Sequence, residues 1–121
     1  MRWSEIKSLL NGTDDPVTKL EILMDIGRDM PPVPESAQTF CKKIEGCSSM
    51  VEICKDSNGK VYGAAASGIV RGITAILLAI HNAGVAYSEF DALNLNLGAQ
   101  RMIGKDSIIE YLKTFPMLLP F

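Results

Sequence analysis

The chain has 121 residues, enough to bury one hydrophobic core, and we expect a single domain over residues 1–121. Hydrophobic residues make up 47% and charged residues 21%, an ordinary globular composition that excludes a disordered chain. The net charge is −2 and no run of basic residues is present, which argues against nucleic acid as a partner because that binding depends on clustered Lys and Arg.

The first helix is predicted to begin at Ser4, which can act as its N-cap, and to end at Gly12. A secretion signal needs a continuous apolar stretch, and Glu5 and Lys7 lie where that stretch would have to be, so we expect no such signal. A second helix should start at Asp15-Pro16, since proline fits the first helical position. The run Met30–Pro34 contains three prolines and should end that helix in an extended connector.

From Thr39 the periodicity changes to two, with Phe40 and Ile44 on one side of a predicted strand. A second strand follows around Val51 and Ile53. The turn Ser57-Asn58-Gly59 is a strong hairpin signal before a third strand that ends near Ala66. Three locally connected strands predict a small antiparallel sheet.

Ser67 can cap a helix from about Gly68 to Asn82, with Gly84 as the residue that closes it. Its run Gly72–Ile80 is about half of the ~20 apolar residues needed to cross a bilayer, so we expect no membrane partner. Ser88 should cap a short segment, and Lys105-Asp106-Ser107 should precede a last helix through about Lys113. The predicted fold class is α+β, with several helices packed on the three-stranded antiparallel sheet.

Three cysteines are present, an odd and sparse set at spacings C-x5-C-x6-C: Cys41, Cys47 and Cys54. This usage is unlike the disulfide framework of a small secreted domain, so we expect reduced thiols and a cytoplasmic protein. The spacing also lacks the C-x2-C pairs of zinc ribbons, and we expect no metal site.

Common enzyme signatures are absent from the sequence: there is no P-loop, no G-x-G-x-x-G, no G-x-S-x-G and no H-E-x-x-H. The one histidine, His81, lies in the apolar helix and is expected to be a structural residue near its C-terminus. No spacing suggests that it pairs with a cysteine for acyl transfer.

Cys47 is the candidate functional residue, because it lies on a predicted turn between two strands, after Gly46 and before the small residues Ser48 and Ser49. A cysteine on such a turn can present its sulfur to a partner, whereas Cys41 and Cys54 are expected within strands. A nearby cation would favour the reactive thiolate, and the candidates are Lys42, Lys43 and Arg101.

The sequence resembles the SufE family, with CsdE, along nearly its whole length and in the same order. The matching segments are Gly27 with Met30–Pro34, similar to LG..LP.LP; Gly46–Val51, similar to G-C-x-S-x-V; Ser67–Leu78, similar to S-D-A-x-I-V-x-G-L-x-A-I-L-L; Gly84; and Arg101 with Gly104, similar to R-x-N-G. Three departures are Gly68 in place of the aspartate, Ile103 in place of the asparagine, and a shortened stretch between Phe90 and Arg101.

The resemblance implies an accessory sulfur-transfer protein rather than an enzyme. Cys47 stands at the position of the family's persulfide-forming cysteine, and Arg101 would support it. The partners implied are a group II cysteine desulfurase, itself a pyridoxal-phosphate enzyme, and an iron–sulfur scaffold complex; a homodimer is left open. No cofactor of its own is implied. The resemblance also implies an apolar cavity around Cys47, for which Met50, Ile73 and Ala64–Ala66 are candidate walls.

Two alternatives remain open from the sequence. An IscU-like iron–sulfur scaffold would need Cys41, Cys47 and Cys54 to converge, which we do not expect of two strand residues and one turn residue. A degenerate family member would bind a desulfurase without carrying sulfur, and Gly68 and the shortened 90–101 stretch favour that interpretation.

Overall fold

The computed structural model describes residues 1–45, 50–66 and 68–114. These residues form an α+β fold in which helices pack on one antiparallel sheet. The helices are α1 (Trp3–Asn11), α2 (Pro16–Arg28), α3 (Gly68–Ala83) and α4 (Ala99–Thr114), and the strands are β1 (Cys41–Lys43), β2 (Val51–Lys55) and β3 (Val61–Ala65). Short 3-10 helices cover Glu35–Ala37 and Tyr87–Leu93. The α+β class predicted from the sequence is confirmed.

The first two helices begin for different reasons. Asp15 caps α2 as predicted, because its carboxylate accepts a hydrogen bond from the backbone N–H of Thr18 at 3.1 Å. The prediction that Ser4 caps α1 is wrong: the cap is Arg2, and the helix already includes Trp3. Trp3 is only 9% exposed, and burying its indole against the core brings the helix start two residues earlier.

The sheet has the order β1-β2-β3, with each neighbouring pair antiparallel. Asp56 closes the turn between β2 and β3 by accepting hydrogen bonds from the N–H groups of Asn58 and Lys60 at 2.9 and 3.0 Å, and Gly59 takes the positive φ of 83° that the turn requires. Strand β1 is shorter than predicted. Phe40 is 40% exposed, outside the strand.

One face of the sheet is covered by α3. A Cβ added to Gly63 would meet the side chains of Leu78 and Thr74, so Gly63 faces α3. Because side chains alternate along a strand, Tyr62 and Ala64 point to the opposite face, where both are only partly buried. The same alternation places Cys54 on the face opposite α3, where it is fully buried.

Helix α3 runs through the centre of the core as expected. It packs on α2 and β3 and is buried around much of its circumference. Its buried residues are Gly72, Ile73, Thr74, Ile76, Leu77, Leu78 and Ile80. It ends at Gly84, whose φ of 71° confirms it as the closing residue. The predicted cap, Ser67, lies outside the described residues.

Helix α4 begins at Ala99, not after Ser107, so the predicted start was wrong. Its buried residues recur at helical spacing: Lys105, Ile108, Ile109 and Leu112. Because the first of them is a lysine, the apolar pattern of these buried residues begins only at Ile108. The Lys105 ammonium contacts Asp91 at 3.3 Å and Asp106 at 2.8 Å. Ser88 was also expected as a cap, but it lies inside the 3-10 helix that Ala86 precedes.

Candidate functional site

The connection that carries Cys47 leaves the end of β1 and returns at β2. The backbone N–H of Ile44 donates to the carbonyl oxygen of Val51 at 2.9 Å, and this bond closes the ladder at the base of the connection. On the other side, the N–H of Ala66 donates to the carbonyl oxygen of Met50 at 3.3 Å. Cys47 itself lies outside the described residues, so its predicted role stays a prediction.

Cys41 and Cys54 are joined by a disulfide bond across β1 and β2. They face each other in the register. Backbone hydrogen bonds join Ile44 to Val51 and Lys55 to Phe40, and because hydrogen-bonded pairs alternate along an antiparallel ladder, Cys41 and Cys54 form a non-hydrogen-bonded pair. Such non-hydrogen-bonded pairs bring Cα atoms closest, about 4.5 Å apart, and here they are 4.0 Å apart.

The expectation of reduced thiols is therefore wrong for these two residues. The expectation that Cys41, Cys47 and Cys54 do not all converge stays a prediction, because Cys47 lies outside the described residues. Sequence spacing does not reveal which residues of two antiparallel strands stand opposite each other, and it is the register that brings Cys41 and Cys54 together.

The disulfide lies on the face of the sheet opposite α3, in a row with Tyr62 of β3. Cys54 is fully buried by its neighbours, whereas Cys41 is only partly buried. The Cys41 sulfur lies 3.6 Å from the carbonyl oxygen of Ala37 and 3.5 Å from that of Gln38. Cys41 is thus the accessible sulfur of the pair.

A carboxylate completes this cluster, because Glu52 lies two residues before Cys54 on the same face of β2. The ligand atoms of Cys41, Glu52 and Cys54 all lie within 4.8 Å of one another, the only such group of three or more in the described parts of the chain. These are donor types that zinc accepts, but a thiolate is the ligand, and both sulfurs are engaged in the disulfide. In this oxidised state the cluster cannot ligate a metal through thiolates.

The candidate walls of a cavity around Cys47 differ in burial. Met50 is 50% exposed, whereas Ile73 is 2% and Ala65 is 5% exposed. Ile73 and Ala65 belong to the core between α3 and the sheet. Whether these residues enclose the Cys47 sulfur is not decided, since Gly46–Ser49 lie outside the described residues.

Arg101 lies in the first turn of α4 and is largely exposed. Its guanidinium donates to the carbonyl oxygen of Leu97 at 3.3 Å, and it borders a small crevice with Val70 and Ile73 of α3. Ile103, which replaces the family asparagine, is 56% exposed. The other candidate cations lie on β1: Lys42 sits 5.7 Å above the Tyr111 ring, and Lys43 faces Glu52 across the ladder.

His81 lies near the end of α3, where its Nδ1 is 2.7 Å from the hydroxyl of Tyr87. Burial lowers the pKa of His81 below its ordinary value of 6.5, and burial raises the pKa of Tyr87. The expectation of a structural histidine agrees with this placement, in which the imidazole joins α3 to the following 3-10 helix.

Sequence reasoning missed a cavity of about 610 Å³ at the outer edge of β3. It is bordered by the start of α1, the end of α2 and one side of α3, and it includes Lys60, Tyr62 and Gly63. The cavity lies at the start of β3. Met50, at the end of the connection that carries Cys47, instead bonds to Ala66, just after the end of β3. The cavity is therefore at the opposite end of the sheet from the Cys47 connection. No local signal could have revealed it, because four elements that are distant in sequence enclose it.

The model of the SufE family, described as an Fe–S metabolism associated domain, matches residues 4–115. A SufE-like protein of Rhizobium meliloti (strain 1021), itself uncharacterised, is 29% identical over 109 residues, covering 76% of this chain and 78% of the relative. Within the described residues, no helix combines the length and the apolar character that a membrane span requires.

Proposed function

The chain belongs to the SufE family of Fe–S metabolism, and from this premise we propose that it accepts sulfur from a group II cysteine desulfurase and activates that enzyme. Cys47 is the proposed acceptor, and an iron–sulfur scaffold complex is the proposed receiver. The observation that carries the proposal is the family match over residues 4–115. The resemblance of Gly46–Val51 to the G-C-x-S-x-V pattern supports Cys47 as the counterpart of the family's active cysteine.

The proposed reaction is thiol exchange on a persulfide. The Cys47 thiolate attacks the outer sulfur of the desulfurase persulfide and forms a new S–S bond. The S–S bond within the desulfurase persulfide breaks, and its cysteine leaves as a thiolate that takes up a proton. The rate depends on the thiolate fraction of the attacking cysteine, on the leaving thiol and on access. The chain then holds the sulfur as a Cys47 persulfide until a receiving thiol attacks it.

The fold supports this role by giving the connection a rigid base. The Ile44–Val51 hydrogen bond and the Cys41–Cys54 disulfide hold the two strands from which the connection leaves and to which it returns. Residues 1–121 act in this proposal as one SufE-like domain in the cytoplasm, without a cofactor of its own. Arg101 is proposed as a supporting cation. It lies on α4 beside Val70 and Ile73, in the N-terminal half of α3, the helix that follows β3 in the chain.

The test incubates the protein with a group II desulfurase, pyridoxal phosphate and cysteine, and then measures intact mass without reductant. We expect one added sulfur atom, localised to Cys47 by peptide mapping and lost in Cys47→Ser. In the oxidised protein the Cys41–Cys54 disulfide leaves Cys47 as the sole thiol. A Cys41→Ser/Cys54→Ser variant has the same sole thiol without the disulfide, so sulfur uptake by this variant also assigns the sulfur to Cys47. An unmodified Cys47 beside an active desulfurase would contradict the proposal.

The second candidate is a binding module that engages a desulfurase without carrying sulfur. The exposed Ile103 in place of the family asparagine favours it, because an aliphatic side chain cannot supply a hydrogen bond there. This candidate predicts that desulfurase binding, measured by calorimetry, is the same for Cys47→Ser and the unaltered protein, with no sulfur uptake by either. An IscU-like scaffold is disfavoured for the oxidised protein, because the Cys41–Cys54 disulfide occupies two of its three thiols in that state.

A further inference from the structure

We propose that Cys41 and Cys54 are a reversible thiol–disulfide couple that sets how firmly β1 is held against β2. The second half of the proposal rests on the proposed function: opening the couple changes the rate at which Cys47 takes up sulfur. The couple lies at the base of the Cys47 connection, on the two strands that this connection joins.

The strand register explains why the bond would re-form when a disulfide oxidant such as glutathione disulfide is present. The Cys41 thiolate attacks the oxidant and releases one glutathione thiolate, and the Cys54 thiolate then displaces the second glutathione from Cys41. The two residues are direct partners whose Cα atoms lie 4.0 Å apart, so the ladder holds both thiols within reach of each other. Backbone hydrogen bonds at Ile44–Val51 and Phe40–Lys55 pair β1 with β2 without the disulfide. The folded protein therefore keeps the two thiols together in the reduced state. An intramolecular thiol at such a distance competes effectively with thiols in solution.

The unequal burial of the two sulfurs fixes the order of the reaction. A reductant thiolate attacks the partly exposed Cys41 sulfur, the Cys41–Cys54 bond breaks, and the buried Cys54 leaves as a thiolate that takes a proton. The mixed disulfide on Cys41 is then attacked by a second reductant thiol, which releases the reductant as its disulfide and Cys41 as a protonated thiol. With a monothiol, the adjacent Cys54 can attack first and restore the original bond. A dithiol completes the second step intramolecularly, so it should reduce the pair far more efficiently.

Glu52 imposes a charge selection on this reaction. Its carboxylate lies within 4.8 Å of the sulfurs and repels an approaching thiolate. The repulsion is greater for glutathione, whose thiolate form carries additional negative charge, than for the otherwise uncharged 2-mercaptoethanol. Glu52→Gln should therefore accelerate the first step with glutathione by about fivefold, and that with 2-mercaptoethanol by less.

The disulfide adds a covalent link to a strand that has few other contacts. Strand β1 has three residues and lies at the edge of the sheet, paired with β2 alone among the described strands, and its Lys42 contacts the Tyr111 ring. When the covalent link opens, the backbone hydrogen bonds of this short ladder are left to hold the strand, and such local structures open readily. The amide of Ile44, bonded to Val51 where the connection leaves, reports that opening directly.

The experiment compares the unaltered protein in two states, oxidised with glutathione disulfide or reduced with dithiothreitol and freed of reductant under anaerobic conditions. Differential alkylation with mass mapping gives the state of Cys41 and Cys54, and hydrogen exchange gives the protection of Ile44. We expect the pair to cycle in the folded protein and the Ile44 amide to exchange about tenfold faster when it is reduced. Glu110→Gln on α4 is the charge-matched control for Glu52→Gln, and we expect it to leave the reduction rates unchanged.

A pair that resists dithiothreitol until urea is added, or a pair that alkylates fully after oxidation, would overturn the couple. Equal Ile44 exchange in the two states would overturn its hold on β1. Sulfur uptake on Cys47 is then measured in both states. Equal, non-zero uptake would refute the coupling alone, and the absence of uptake in both states, with a pair that still cycles, would refute the proposed function but not the couple.

Discussion

Gly27 of α2 and Gly72 of α3 lie against each other where the two helices cross. A Cβ on Gly27 would stand 2.7 Å from the backbone nitrogen of Gly72, and a Cβ on Gly72 would overlap the carbonyl oxygen of Leu23. The opposing atoms are backbone atoms, which cannot rotate away as a side chain can. The absence of both side chains is what allows the helices to approach so closely.

Gly72→Ala should lower the free energy of unfolding by about 2 kcal/mol, because overpacking costs roughly 1–3 kcal/mol and outweighs the smaller gain in helix propensity. Urea denaturation followed by circular dichroism measures the change. Gly68→Ala is the matched control on the same helix: its Cβ would meet only the Cε of Met24 at 3.2 Å, the end of a flexible side chain. A Gly72→Ala protein as stable as the Gly68→Ala protein would contradict this helix crossing.

Asn82 covers the outer edge of β3 with its side-chain amide. Its Oδ1 accepts from the N–H of Val61 and its Nδ2 donates to the carbonyl oxygen of the same residue, both at 3.1 Å. Asn82→Ala should cost about 1 kcal/mol and should accelerate hydrogen exchange at the Val61 amide. The Tyr62 amide, which faces β2 in the register, serves as the internal control and should stay protected. Unchanged exchange at Val61 would show that Asn82 does not cap this edge.

His81 gives the protein a pH dependence that can be assigned, since the sequence contains one histidine. Burial lowers its pKa below 6.5, so the folded state binds the proton less readily than the unfolded chain. The stability contributed by the neutral imidazole is present above pH 6.5 and is lost as the pH falls through the lower folded pKa. NMR titration should give that depressed pKa, and His81→Gln should flatten the fall of the unfolding free energy below pH 6.5. A His81 pKa at or above 6.5 would contradict the desolvation of the ring.

Ile103→Asn tests whether the departure from the family pattern matters. Ile103 is 56% exposed, so its replacement should change the unfolding free energy by less than about 0.5 kcal/mol. If the asparagine amide of this variant restores a side-chain hydrogen bond worth about 1 kcal/mol to the sulfur-transfer step, sulfur uptake should rise by about fivefold. Intact-mass kinetics with the desulfurase measure that rate. Ile103→Ser, which removes the apolar surface without supplying an amide, should not reproduce the increase; if it does, the asparagine is irrelevant.

The locally encoded features could be predicted from the sequence. Asp15 caps α2, Gly59 turns the β2–β3 hairpin and Gly84 closes α3 because each acts on backbone atoms within a few residues of itself. The start of α4 could not be predicted, because Lys105 takes a buried position with partners that include Asp91, fourteen residues away. The candidate Cys47 came from a motif on a turn, and its environment is still a prediction.

The amino-acid order by itself determined the strands, the hairpin turn, the central helix and the motifs that indicate the family, since periodicity and turn chemistry are short-range properties. Only the tertiary structure decided that Cys41 meets Cys54, that Gly27 meets Gly72 and that Asn82 covers Val61. Each of these pairs depends on strand register or helix crossing, which the burial of the whole core fixes at once and no single segment encodes.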